Sequence, residues 1–175
     1  MKMNLPNKLT ILRVLLVPVF MAELLLGGSK WIGLAIFVVA SLTDLADGKI
    51  ARKYNLVTNF GKFADPLADK LLVTSAMLIF VEWGQLPSWL VMVVIAREFA
   101  VSGLRMIAAS KGTVMAAGWS GKIKTASTMI AIVLMLTPLG EIDMVNTVCG
   151  IVILVTTVYS GVEYFVKNGK VLKDG

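Results

Sequence analysis

The sequence predicts an all-α, polytopic membrane protein with six transmembrane helices and both termini in the cytoplasm. Three observations predict it. Hydrophobic residues make up 57% of the 175 positions and charged residues 16%, with a mean hydropathy of +0.82, the composition of an integral membrane protein. Six apolar stretches run over about 9–27, 31–52, 64–83, 86–109, 122–140 and 144–166, each close to the roughly 20 residues that span a bilayer core. Basic residues gather in alternate connections, which orients the chain by the positive-inside rule.

The first stretch follows Lys2 and Lys8 and has the outline of a signal peptide, but Arg13 inside it and the lack of a small-residue cleavage site argue for a retained helix. GGSK at 27–30 ends it. The second stretch closes on Asp44, Asp47, Arg52 and Lys53, and Lys62 precedes the third. Pro66 leaves two options for the third: a start with Asp65 as its cap, or a kink in a helix that began earlier. EWGQLPS at 82–88 separates the third from the fourth, which carries Arg97, Glu98 and Arg105.

The Gly- and Ser-containing segment 110–121 leads to the fifth, which opens with Lys122 and Lys124. The sixth is followed by Lys167, Lys170 and Lys173. The opposite connections hold Lys30, Glu82, Glu141 and Asp143. Trp31, Trp83, Trp89 and Trp119 sit near boundaries, where indoles anchor at the interface. The ten methionines are dispersed and read as packing residues. No repeat, linker or low-complexity tract divides the chain, so residues 1–175 are expected to form a single membrane domain.

Composition also excludes chemistries. There is no histidine, which removes Ser-His-Asp and Cys-His catalysis and the commonest zinc ligand. The single cysteine, Cys149, has no intrachain disulfide partner and reads as a core thiol. The net charge of +6 suits an anionic membrane leaflet; no soluble basic module suggests nucleic acid.

What remains is carboxylate chemistry. The segment from Asp44 to Asp69, DLADGKIARKYNLVTNFGKFADPLAD, holds four aspartates within or beside apolar stretches. An unpaired carboxylate at the membrane centre costs roughly 2.5–3.5 kcal/mol, so such a cluster is a functional signal. At about 100° per residue, Asp47 lies about 60° from Asp44, Gly48 about 40° and Ala51 about 20°, which puts carboxylates and small residues on one face. Arg52 falls about 80° away, one turn further along, within reach of a phosphate bound over that face. Asp65 and Asp69 stand one turn apart, with Gly61 one turn before them. Two such helices would supply an all-oxygen site suited to Mg²⁺ or Mn²⁺, with room for two ions. The structural alternative, capping by the aspartates or pairing with Lys49, Lys53 and Lys70, leaves the aligned glycines without a reason.

The order Asp, two residues, Asp-Gly, two residues, Ala-Arg, eight residues, Gly, three residues, Asp, three residues, Asp resembles the CDP-alcohol phosphotransferase family without a departure. That resemblance implies transfer of a phosphatidyl or related phosphate group from a CDP-linked donor to an alcohol, with release of CMP. It implies that Asp44, Asp47, Asp65 and Asp69 bind the metals and that Asp69 also serves as base for the attacking hydroxyl. Gly48, Ala51, Arg52 and Gly61 would line the CDP pocket.

Substrate choice must lie outside this motif. IAREFAVSGLR, with Arg97 and Arg105, then GKIKTA, with Lys122 and Lys124, together with the opening NLPNKLTILR, resemble the members of that family that act on glycerol-3-phosphate. The implied reaction joins CDP-diacylglycerol to glycerol-3-phosphate. Arginines in an apolar helix are costly unless they meet an anion, and Arg97, Arg105, Lys122 and Lys124 are candidates for the acceptor phosphate. The resemblance also implies that Asn7, Thr10 and Arg13 lie near the substrates, Thr10 and Arg13 with the acceptor phosphate and Asn7 with the CDP pocket. On the residues alone, Asn7 and Thr10 equally cap the first helix, and Arg13 equally offsets the acidic cluster. The resemblance further implies a homodimer, membrane lipids as surroundings, and a bacterial cytoplasmic membrane with the site on its cytoplasmic face. Another acceptor, such as inositol phosphate, serine or a phosphatidyl lipid, stays open, as does a cation or proton transporter using the same carboxylates.

Overall fold

The structure, a computed structural model, describes residues 4–54, 58–112, 115 and 118–169; for 45–53, 59–60 and 62–63 it describes the backbone. Among these residues there are six α-helices and no strand: α1 Leu5–Leu25, α2 Lys30–Lys53, α3 Asn59–Glu82, α4 Ser88–Ser110, α5 Trp119–Leu136 and α6 Asp143–Asn168, with a 3-10 turn at Pro138–Glu141 before α6.

The boundaries have local causes. Asn4 caps α1, its side chain accepting from the Asn7 amide at 3.1 Å, and Pro6 sits in the first turn, where its missing N–H costs nothing. At the other end Gly27 takes a φ of 81°, which lets the Gly28 amide fold back to the Glu23 carbonyl at 2.8 Å. The third helix begins at Asn59 rather than at 64, so Pro66 lies inside it and Asp65 is not its cap. The fifth stops at Leu136 rather than 140 because Pro138 cannot continue it, and the 3-10 turn takes over.

The chain divides into two compact units, Met1–Glu82 and Trp83–Gly175. In the first, α1 packs against both α2 and α3. Phe20 of α1 meets Phe37 of α2 with ring centroids 6.0 Å apart, and a Cβ at Gly33 would fall 2.5 Å from Leu24 Cδ2, so α1 and α2 approach closely because that position is glycine. In the second, α6 packs against α4 and α5, and Gly150 admits the side chains of Leu86 and Leu90. Cys149 is buried with a free thiol, in keeping with a core role.

Among the described residues only α6 is long and apolar enough, by length and composition, to cross a membrane uninterrupted by charge. The other five helices carry their charges inside the apolar run: Arg13, Asp44 with Asp47, Asp65 with Asp69, Arg97 with Glu98, and Lys122 with Lys124. Yet each helix turns large apolar side chains outward, among them Leu15, Leu42, Leu71, Phe99, Ile130 and Val155.

Candidate functional site

Beyond Pro6, the buried residues of α1 form one stripe, Asn7, Thr10, Arg13, Val17, Phe20 and Leu24, the spacing of three and four residues that keeps a single helix face. Its second half is core. Its first half is polar, and each polar member addresses a successive turn of α3. Asn7 lies beside Gly61, Thr10 Oγ1 donates to Asp65 Oδ1 at 2.5 Å, and Arg13 Nη1 donates to Asp69 Oδ1 at 3.0 Å. Because both series ascend in sequence, α1 and α3 run parallel here. Arg13 Nη1 also reaches Asp44 Oδ1 of α2 at 2.8 Å, so one guanidinium ties all three helices of the unit.

Arg13 is 0% exposed, whereas the Asp44 and Asp69 side chains are 31% and 48% exposed. The cation is sealed beneath and the carboxylates open outward. Arg13 thus supplies buried positive charge, without which two carboxylates on facing helices would repel one another. Of the roles open to Thr10 and Arg13 in the sequence, contact with the aspartates is the one the structure describes: Thr10 meets Asp65, and Arg13 meets Asp44 and Asp69.

Gly61 is closely surrounded as well as being a motif position. A Cβ there would stand 3.3 Å from Asn7 Oδ1, 3.4 Å from Thr58 Oγ1 and 3.5 Å from Asp65 Oδ2. Thr58, which the sequence reading passed over, caps α3: its Oγ1 accepts from the Gly61 amide at 3.0 Å and donates to Asn7 Oδ1 at 2.9 Å. A threonine just before a helix is a capping signal visible in the sequence, but its tie to Asn7 is not.

Asp44, Asp65 and Asp69 therefore converge, through α1, at one end of the unit. The side chains of Asp47, Gly48, Ala51 and Arg52 lie outside the described residues. Among the described residues no three acidic side chains group closely enough to hold one ion. The donor set is all oxygen: Asp44 and Asp65 each carry a second oxygen besides the one engaged by Arg13 or Thr10, and Asp69 adds a carboxylate bonded to Arg13. That chemistry fits a hard divalent cation.

The basic residues of the second unit divide into two groups. Glu98 Oε1 accepts from Arg97 Nη1 at 3.0 Å and from Lys124 Nζ at 2.7 Å, so two cations of α4 and α5 share one carboxylate and the trio keeps a net positive charge. Arg97 passes over Gly161 of α6, where a Cβ would lie 3.2 Å from its Cγ, and beside Gly121 of α5. Its Nε is buried without a hydrogen-bond partner among the described residues. Arg105 lies apart on Tyr164, donating from Nε to the phenol oxygen at 3.0 Å with its guanidinium carbon 5.4 Å from the ring centroid. Lys122 is exposed, with its ammonium 5.5 Å from the Trp119 ring centroid, the position of an interfacial lysine. Lys122 and Lys124 thus differ in environment although two residues apart.

The sequence profile of the CDP-alcohol phosphatidyltransferase family matches residues 3–159, across both units. A Bacillus subtilis protein named CDP-diacylglycerol–glycerol-3-phosphate 3-phosphatidyltransferase is 44% identical over 189 residues, covering 97% of each chain. Proteins of the same name from Rickettsia typhi and Shigella flexneri are 38% identical (93% of this chain, 95% of theirs) and 37% identical (94% of each). With its aspartate pattern complete and the match extending over nearly its whole length, the chain belongs to the CDP-alcohol phosphatidyltransferase family.

Proposed function

We infer that this enzyme transfers the phosphatidyl group of CDP-diacylglycerol to glycerol-3-phosphate, giving phosphatidylglycerophosphate and CMP. The observation that carries the reading is similarity over nearly the full length to bacterial proteins named for that reaction. The acceptor hydroxyl oxygen forms a bond to the phosphorus bearing diacylglycerol, the bond from that phosphorus to the CMP oxygen breaks, and the hydroxyl proton goes to a base.

Asp44, Asp47, Asp65 and Asp69 would hold divalent metal, Mg²⁺ or Mn²⁺, which when bound supplies positive charge to the donor's pyrophosphate. Asp69 is the candidate base for the incoming hydroxyl, and its side chain is about half exposed. Arg13 and Thr10 hold the carboxylates in place from below. Asn7, Gly48, Ala51, Arg52 and Gly61 would line the CDP pocket, with Gly61 leaving space that any side chain would fill. Arg97 and Lys124, steadied by Glu98, together with Arg105, offer charge-assisted hydrogen bonds to the acceptor's phosphate. Lys122 would contribute at longer range, as a surface charge.

Residues 1–175 would work as one membrane domain, since the family match crosses both units. Six membrane-spanning helices are supported by the outward apolar faces of all six, and cytoplasmic termini by the sorting of Lys and Arg. A bacterial cytoplasmic membrane and a homodimer complete the reading. Purified protein given CDP-diacylglycerol and, in turn, glycerol-3-phosphate, serine, inositol phosphate and phosphatidylglycerol should release CMP with the first alone. CMP release with a different acceptor would reassign the substrate, and none with any acceptor would reject the transferase reading.

A further inference from the structure

Thr58 uses its hydroxyl in both directions. The oxygen accepts the Gly61 amide at 3.0 Å, and the hydrogen goes to Asn7 Oδ1 at 2.9 Å. The Asn7 carbonyl oxygen is therefore committed and its amide plane fixed, which leaves Nδ2 as the end that points elsewhere. Asn7 is 6% exposed, and its side chain makes no other hydrogen bond among the described residues. A nearly buried amide with an unmatched donor is suited to a ligand acceptor. The surroundings suit that orientation: Gly61 lies beside both Asn7 Oδ1 and Thr58 Oγ1, and a methyl group there would stand 3.3 Å from the Asn7 oxygen and in contact with the Thr58 hydroxyl. Asp65 borders the same glycine and is itself held by Thr10.

We propose that Thr58 is a positioning residue for the donor substrate: it locks the Asn7 side chain so that Nδ2 is presented as a hydrogen-bond donor to an oxygen of the CDP moiety. This rests on the transferase reading above and adds to it a residue outside the aspartate pattern. Thr58 acts through Asn7, and the cap it gives α3 is a separate contribution, so the two must be read apart.

The test measures initial CMP release while each substrate is titrated, together with binding of CDP by calorimetry in Mg²⁺ and the melting temperature of each variant. Thr58→Val keeps the shape and loses the hydroxyl. It should raise KM for CDP-diacylglycerol and weaken CDP binding about tenfold, the effect of one hydrogen bond to a charged group, while KM for glycerol-3-phosphate stays within about twofold. Thr58→Ser should restore both values. Asn7→Asp, which retains the oxygen facing Thr58 and removes the donor, should reproduce the loss even if Thr58→Val does not fold. In an Asn7→Ala background Thr58→Val should lower the melting temperature through the lost cap but shift CDP affinity less than about twofold. Additive losses in that double variant, or equal KM increases for the two substrates, would overturn the lock. Failure of the unaltered protein to release CMP would instead reject the transferase reading, while CDP calorimetry would still decide the lock.

Discussion

Replacing Arg13 with methionine removes the only charge of a side chain that is 0% exposed and bonded to Asp44 at 2.8 Å and Asp69 at 3.0 Å. Methionine keeps the apolar stem but leaves two carboxylates facing each other across helices. Breaking a buried pair by removing one partner costs about 3–5 kcal/mol. Here the carboxylates are 31% and 48% exposed, so water recovers part of the loss and the lower end applies, about 3 kcal/mol. For a chain of this length that corresponds to about 6–12 °C in melting temperature. The assay is thermal unfolding of the purified protein in detergent with excess chelator, then with Mg²⁺. The variant should melt lower in chelator and regain part of the difference in Mg²⁺, since a cation bound to the folded state at 100-fold above its dissociation constant stabilises by about 2.7 kcal/mol. Arg13→Lys, which keeps the charge, should fall between the two. Equal melting of Arg13→Met and the unaltered protein in chelator would refute the assignment of Arg13 as the internal counter-charge.

Chelation should abolish CMP release and Mg²⁺ or Mn²⁺ should restore it; undiminished release in excess chelator would remove the metal from the reaction. Asp69→Asn should lower turnover far more than donor affinity, by about 10²-fold or more if Asp69 takes the proton, and near-normal turnover would rule that role out. Arg105→Ala should weaken apparent glycerol-3-phosphate affinity about tenfold with little change for CDP-diacylglycerol; equal weakening for both would move Arg105 out of the acceptor site. In Gly161→Ala the new methyl would stand 3.2 Å from Arg97 Cγ, so the guanidinium must shift. KM for glycerol-3-phosphate should rise severalfold with little loss of melting temperature, and an unchanged KM would show that the position of Arg97 does not matter.

Sequence alone carried the helices, because they depend on local periodicity. Apolar runs of bilayer length and Gly27 after the first helix placed most element ends to within a few residues, but the fifth stretch was carried to 140, past Pro138, where the helix stops at Leu136. The start of α3 at Asn59 was missed because Asn59 to Lys62 is not apolar, while the helix is begun there by the Thr58 cap. The facing of Asp65, Asp69 and Gly61 follows from helix geometry once they share one helix.

Which partners those faces meet depends on register between distant segments, and no local pattern encodes that. In the sequence Arg13 had either a substrate anion or the aspartates as a partner, and the parallel packing of α1 on α3 is what sets it against Asp69, 56 residues away. The same register joined Asn7 to Thr58. Lys122 and Lys124 look alike in GKIKTA, but the rotation of α5 in the second unit exposes the first and buries the second against Glu98. Two residues on a helix are about 200° apart, so the physical distinction was implicit in the spacing. Only the position of α4 decided which lysine faced inward.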